Sequence, residues 1–253
     1  MEKNLRVLQI VNDLEPPFKL VAKSYAESFS GCNVTTVVLK GARDERFSNE
    51  IYGDVYFLEF SAQSLKGLKV RAILKVKSLI AVISPNIVIS HRYKPFFIAV
   101  ILNYFFSIEL VLGVVHHYGF LDRKSRFLFS LFWKKNVELI GVSPPVCDYL
   151  KQRLGEGRRR VNFVQQGYFK PTLLDKGDAL KSLGLSNSNY YFGTVGRLVE
   201  KKNHKTLIKA FSKIKDESNL IIIGDGRLSR ELKETARDLG IESKVHFLGE
   251  IEM

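Results

Sequence analysis

The sequence predicts an α/β fold built from two doubly wound parallel sheets, the second incomplete. Three observations carry that expectation. Apolar runs of strand length alternate with helical patterns along the 253 residues, which is the mark of βαβ units. Several runs are continuous rather than alternating, as parallel strands covered on both faces require. The series also pauses once, near residues 168–178, and then restarts.

The first series of strands is expected at RVLQIV (6–11), NVTTVVLK (33–40), DVYFLEF (54–60), NIVIS (86–90), LVLGVV (110–115), ELIGVS (138–143) and VNFVQQ (161–166). Helical patterns fall between most of them, at 18–30, 65–83, 123–135 and 145–153. The start, MEKNLRVLQIV, has too short an apolar run for a signal peptide and reads as a first strand. The segment FFIAVILNYFFSIELVLGVV (96–115) has the length of a membrane span, about 20 residues. Asn103 and Glu109 interrupt it. It reads instead as a buried helix (95–106), a short turn (107–109) and a buried strand (110–115).

The seam is GYFKPTLLDKGDALKSLGLSNSN (167–189), with Pro171, Gly177, Gly184 and a Ser/Asn cluster. It divides the chain into domains 1–170 and 171–253. After it come strands at 190–195, 219–224 and 244–249, with helices at 204–215 and 228–239. A doubly wound sheet more often has about five or six strands, so the second domain reads as unfinished.

With 45% hydrophobic residues the chain can fill sizeable cores. Two cysteines, Cys32 and Cys147, form neither a disulfide framework nor a zinc pattern, and read as small buried groups in a reducing compartment. The net charge is +13 and uneven: residues 1–170 hold 25 Lys/Arg against 14 Asp/Glu, and residues 171–253 hold 14 against 12. Basic residues recur at Lys66, Lys69, Arg71, Lys75 and Lys77, at Arg123, Lys124 and Arg126, and at Arg158 to Arg160. The first five form no clean stripe on a helical wheel. A basic first half suits a polyanion, such as anionic lipid, a phosphorylated glycolipid or nucleic acid. A merely soluble basic surface would show the same charge. No RNA- or DNA-reading motif appears, so nucleic acid is set aside as a partner.

The chemistry concentrates at two strand-to-helix corners. In GTVGRLVEKKNHKTLIKAF (193–211), Gly193 and Gly196 keep the corner free of Cβ atoms, and Arg197 and Lys202 flank the helix start. A helix amino terminus at a strand's carboxyl end suits phosphate. Arg supplies a planar fork of donors and Lys a mobile point charge. Two solvated cations on an ordinary loop would look the same. In IIIGDGRL (221–228), Gly224, Asp225 and Gly226 repeat the form, though Gly-Asp-Gly is also plain turn chemistry. The phosphate-loop and dinucleotide fingerprints are absent at both corners.

These two corners and SKVHFLGE (243–250), in this order and spacing, resemble the carboxyl-terminal domain of retaining family-four glycosyltransferases, which have the two-Rossmann-domain GT-B architecture. The first domain resembles that family more weakly, through PNIVISHRYKPFFIAV, VLGVVHHYG, ELIGVSPPV and NFVQQGYF. The resemblance implies a metal-independent transferase with no cofactor, which moves a sugar from a nucleotide-sugar donor to a hydroxyl. It implies that Arg197 and Lys202 hold the donor diphosphate, and that Gly196, Gly224, Asp225 and Gly226 belong to the same donor-binding site. The base would lie against Phe247 and Leu248, largely through their backbone. Arg197 and Lys202 would also stabilise the departing diphosphate, and His116 would meet the donor sugar, with His117 as the neighbouring alternative. His91 is a weaker candidate. Ser143 reads as a helix cap before Pro144 and Pro145 rather than a nucleophile. With the basic first domain, the expected acceptor is a glycolipid or saccharide of lipopolysaccharide type. The expected location is cytoplasmic, peripheral on an anionic membrane surface.

Two departures from the family pattern stand out. Where the family opens with a Gly-Gly loop after strand one, this chain has NDLEPPFKL, with Pro16 and Pro17 offering no N–H. The family's Glu-x7-Glu segment does not occur before Met253, so the chain reads as truncated relative to the family. The competing reading is a truncated, non-catalytic homologue that binds a membrane surface or a partner.

Overall fold

A computed structural model describes residues 5–155, 157, 160–165, 173–186, 190–214 and 217–251. Arg158 and Arg159, the 166–170 end of the segment leading out of the first unit, Pro171 and the 187–189 Ser/Asn cluster lie outside the described residues. The chain divides into two compact units, Met1–Lys170 and Pro171–Met253.

Unit one is a sheet of seven parallel strands: β1 (Arg6–Val11), β2 (Asn33–Lys40), β3 (Asp54–Phe60), β4 (Ile87–His91), β5 (Leu110–Val115), β6 (Val137–Gly141) and β7 (Val161–Phe163), in the order β3-β2-β1-β4-β5-β6-β7. The order reverses between β1 and β4, which makes their carboxyl ends the switch point of a doubly wound sheet. The helices are α1 (Phe18–Glu27), α2 (Glu45–Glu50), α3 (Val70–Ile83), α4 (Tyr93–Leu102), α5 (Lys124–Ser130) and α6 (Pro144–Leu154). Two cores explain the continuous apolar strands. Ala72, Val76 and Ile80 of α3, Phe96 of α4 and Leu150 of α6 share one with Leu8, Ile10 and Val111. Ala22 and Ala26 of α1 and Phe47 of α2 share the other with Val7, Val11 and Ile89.

Unit two is a parallel three-stranded sheet, β10-β9-β8, of β8 (Tyr191–Val195), β9 (Asn219–Ile223) and β10 (Val245–Gly249). It carries α7 (Lys176–Ser182), α8 (His204–Phe211) and α9 (Ser229–Asp238). Ile208, Phe211, Leu220, Ile222, Leu232 and Val245 form its core.

The 96–115 segment divides as its sequence suggests, into α4 and β5, and among the described residues no helix is long and apolar enough to cross a membrane. Several boundaries differ from the sequence reading. α3 starts at Val70 rather than at 65, because Gly67 and Lys69 take positive φ (57° each) and turn the chain before it. α4 starts before Pro95, which the first helical turn tolerates. α2 and α7 were not expected. Both are short and polar, and each is started by a side-chain cap: Asp44 accepts from the Phe47 amide, and Asp175 from Gly177 and Asp178.

Candidate functional site

In unit one the polar groups converge where the sheet order switches. His91 ends β4 and is fully buried; His116 follows β5 and is half-buried. The parallel registers of β1 with β4 and of β4 with β5 bring Gln9, His91 and His116 side by side. The Gln9 amide nitrogen donates to the Ala22 carbonyl (3.0 Å) and the Thr36 hydroxyl (3.2 Å), so its oxygen is left to accept from His91 Nε2 (3.2 Å). His91 Nδ1 is then an acceptor, and it faces His116 Nε2 at 3.4 Å. The chain of partners leaves His116 protonated on Nε2, with Nδ1 as a free acceptor. Burial, and then the neighbouring His116, push the His91 pKa down to about 3. Burial, then His117 and Arg92, push His116 down to about 4. Both imidazoles are therefore neutral at pH 7. Phe18 and Tyr25 stand edge-on to His116 and His91, at 5.2 and 4.7 Å between ring centres. His117 is exposed, with its ring turned to the Tyr118 carbonyl.

The loop after β1 is filled by an ion pair. Asp13 is 8% exposed at its side chain and takes two contacts from the Arg92 guanidinium, at 3.2 and 3.1 Å, with Asn12 donating to it as well. Arg92 lies 4.6 Å over the Phe18 ring, and its backbone takes a positive φ of +71°. A cavity of about 270 Å³ opens beside this loop, lined by Asp13, Leu14, Glu15, Lys40 and Asp44. Its carboxylates are held: Glu15 by Lys40 at 3.2 Å and Asp44 by Lys19 at 2.7 Å. The larger cavity, about 820 Å³, lies at the opposite edge of the sheet, beside Glu109, Lys135, Glu138 and Arg160, away from the histidines. Ligands of doubly wound sheets sit at the carboxyl edge, so the smaller cavity is the relevant one.

In unit two the carboxyl ends of β8, β9 and β10 lie in a row. The Gly196 amide donates to Ile223 and the Gly224 amide to Gly249; the Leu198 amide donates to Asp225, and Leu198 in turn accepts from Leu228. A Cβ on Gly224 would sit 2.3 Å from the Gly196 carbonyl oxygen, and one on Gly226 would sit 2.5 Å from that of Leu198. These two glycines therefore serve close packing of one corner on the next, in addition to turning the chain. Asp225 accepts from the Gly226 amide at 2.7 Å. The end of the Lys202 side chain lies over Gly196, its Nζ 3.9 Å from where a Cβ would be. Arg197 and Lys202 are exposed, and among the described residues no carboxylate pairs with either. Glu200, the acid between them in sequence, is bound by Arg227. Phe247 packs partly into the core of the unit under the Lys233 ammonium, at 5.7 Å, and Leu248 follows it half-buried.

The structure thus brings Gly196, Lys202, Gly224 and Gly226 together, with Arg197 and Asp225 in the same corners. Ser143 occupies the α6 cap position, but its side chain makes no capping bond. Pro144 and Pro145 have no N–H to offer, and the Val146 amide goes to the Ser143 carbonyl. Gln9, the Asp13–Arg92 pair and His204 escaped the sequence reading. The only signals were a polar residue inside RVLQIV and a histidine at a helix start. His204 is buried with Nδ1 unpartnered, and burial followed by Lys202 lowers its pKa.

Residues 175–253 match the family model described as Glycosyl transferases group 1. A Campylobacter jejuni enzyme, N-acetylgalactosamine-N,N'-diacetylbacillosaminyl-diphospho-undecaprenol 4-alpha-N-acetylgalactosaminyltransferase, is 29% identical over 125 residues, which is 49% of this chain and 33% of that protein. An uncharacterized glycosyltransferase of Methanocaldococcus jannaschii is 34% identical over 64 residues, 24% of this chain and 16% of that protein. The chain thus matches a third or less of the length of these relatives. Among solved structures, a Rickettsia africae glycosyltransferase has a TM-score of 0.79 at 16% identity, covering 99% of this chain and 69% of that one. Anabaena HepE in complex with UDP has a TM-score of 0.72 at 16% identity, covering 98% and 70%. At that identity these likenesses establish the fold, which is that of GT-B glycosyltransferases.

Proposed function

We propose that this chain, which carries a group 1 glycosyl transferase segment in residues 175–253, moves a sugar with retention from a nucleoside-diphosphate donor to a lipid-borne or saccharide hydroxyl. The observation that carries this reading is a pair of cations, Arg197 and Lys202, exposed at a glycine-packed sheet edge without a carboxylate partner among the described residues. Cations in such a place favour an anion from outside the chain. Bond cleavage at the sugar leaves the electron pair on the terminal phosphate oxygen and adds one negative charge to the two the diphosphate already carries. Preorganised cations favour that charge more than the ground state, which lowers the barrier. Arg197 can meet two phosphate oxygens at once, while Lys202 adds charge without direction. Their two charges supply neutralisation without a metal. The edge of β10, at Phe247 and Leu248, offers backbone groups to a base.

His116 takes the sugar. Its Nδ1, left as an acceptor by the Gln9–His91 chain, suits a sugar hydroxyl as donor. The HepE complex with UDP and the Campylobacter enzyme's diphospho-undecaprenol acceptor support a nucleotide donor and a lipid-linked acceptor. The basic first unit suits such an acceptor at an anionic membrane surface, on the cytoplasmic side. Calorimetric titration with UDP and GDP, and with uridine and guanosine, tests the donor half of this reading. One diphosphate should bind without added metal, and its nucleoside at least tenfold more weakly. Equal affinity for diphosphate and nucleoside would overturn it.

A further inference from the structure

We propose that the outer face of α3, α4 and α5 is the surface by which this chain docks on an anionic lipid bilayer. The proposal rests on the reading of a lipid-borne acceptor and names the face that would bring the chain to it.

Charge is the first observation. Residues 60–108 contain seven Lys/Arg and residues 123–137 contain five, and neither segment contains an Asp or Glu. Arg92 is taken up by Asp13, and Lys135 lies beside Glu109 and Glu138, but side-chain contacts join the rest of the two segments into one surface. Lys69 Nζ lies 4.5 Å over the Phe97 ring, and Phe97 meets Phe129 of α5 at 4.9 Å. Lys77 lies 5.6 Å over Phe105, and Lys134 lies 5.1 Å over Tyr104, whose hydroxyl donates to the Phe132 carbonyl.

Apolar exposure is the second. Leu74 (57% exposed) and Val82 (84%) of α3, and Phe105 (66%) and Phe132 (69%) just past the ends of α4 and α5, are exposed here. The inward stripe of α3, Ala72, Val76 and Ile80, is fully buried, so these outward residues are surplus to the core. The exposed side of α3 thus interleaves Val70 and Leu74 with Arg71, Lys75 and Lys77.

The third is crowding of like charge. The Lys69 pKa is lowered, first by burial and then by Lys94 and Arg126 beside it. Asp122, at the rim of the face, is engaged by Arg153 and Tyr149, both at 2.9 Å. Cations that repel one another and are mixed with aromatic and aliphatic side chains match a bilayer surface. Phosphate head groups take the charges and the acyl boundary takes the rings. Nucleic acid would satisfy the charges and leave the aliphatic side chains in water.

Co-sedimentation of the full chain with vesicles tests the face. The vesicles are phosphatidylcholine alone, or phosphatidylcholine mixed with phosphatidylglycerol. Wild type should bind the mixed vesicles and lose binding as salt rises. Arg71→Glu/Lys75→Glu/Lys77→Glu should bind at least a hundredfold more weakly, since each basic residue near an anionic surface is worth a factor of about five. Lys181→Glu/Lys209→Glu/Lys213→Glu, the same charge change in unit two, should lose about fivefold or less. Leu74→Ser/Phe105→Ser should bind more weakly with the salt dependence unchanged. All these side chains are exposed, so folding is expected to survive, and circular dichroism checks it. Equal losses for the two triple variants would overturn the face while leaving a lipid-borne acceptor in place. Wild type that ignores mixed vesicles, or binds neutral ones equally well, would overturn the face and the anionic-surface reading together. The titration with nucleoside diphosphates would be unaffected by either result.

Discussion

The two sheets present opposite kinds of carboxyl edge. In unit one the edge is closed on itself. Asp13 is held by Arg92, His91 is buried and His116 half-buried, both are neutral, and their nitrogens are assigned by Gln9. In unit two the edge is backbone packed on backbone, with two cations left in solvent. The contrast fits the roles proposed for the two edges. An edge that positions a neutral sugar hydroxyl needs a fixed lone pair, and a buried network supplies it. An edge that takes up a diphosphate needs charge without a competing carboxylate, and close backbone approach. Sequence chemistry follows the same division: polar residues within the strands of unit one, glycines and cations after the strands of unit two.

Acid should break this contrast most visibly. In unfolded chains His titrates near 6.5, whereas folded His116 and His91 do so at about 4 and about 3. Below about pH 6.5 the unfolded state therefore binds more protons. Stability from these groups is full above that pH and falls as pH drops toward the folded values, by up to about 1.4 kcal/mol per pH unit for each. Urea unfolding followed between pH 7 and 4 should show a steep loss in wild type and a shallower slope in His91→Gln. An unchanged slope would mean that His91 is not held neutral by burial.

A smaller effect is expected at Gly224. Its Cβ would meet backbone rather than a movable side chain, and its φ is +126°. Gly224→Ala should destabilise unit two by about 1–3 kcal/mol, as overpacking does, and leave the unit one transition in place. Wild-type stability in that variant would show that the corners of β8 and β9 are not in contact.

The helix caps give the smallest contrast. Asp175 accepts two amides at the start of α7, so Asp175→Ala should cost about 1 kcal/mol. Ser143 caps nothing with its side chain, so Ser143→Ala should stay within about 0.5 kcal/mol. Equal costs would mean that the Ser143 hydroxyl finds an amide after all.

The strands were legible because doubly covered strands are continuously apolar, and β1 to β3 fall where the apolar runs do. α2 and α7 were not, because helices of six and seven residues with one buried position each carry too little periodicity to register, and Gly177 lies inside α7. Arg197 and Lys202 could be picked out because cations and glycines sit together in one corner. The Gln9–His91–His116 chain could not, because its members lie 82 and 25 residues apart and meet only through strand register. The outer face of α3 was hidden for a related reason. A helical wheel shows no clean stripe when the outward side itself mixes basic and apolar residues, and only burial tells the two sides apart.

The proposed donor site depends on Arg197 and Lys202 as holders of a diphosphate. Calorimetric titration of wild type, Arg197→Ala and Lys202→Ala with a nucleoside diphosphate and with its bare nucleoside tests that most directly. Arg197→Ala should weaken the diphosphate by the worth of a charge-assisted bond, about 1.5–3 kcal/mol, and Lys202→Ala by somewhat less. Both losses should shrink for the nucleoside. Equal losses for the two ligands would mean that these side chains shape the corner, and the phosphate assignment would fail.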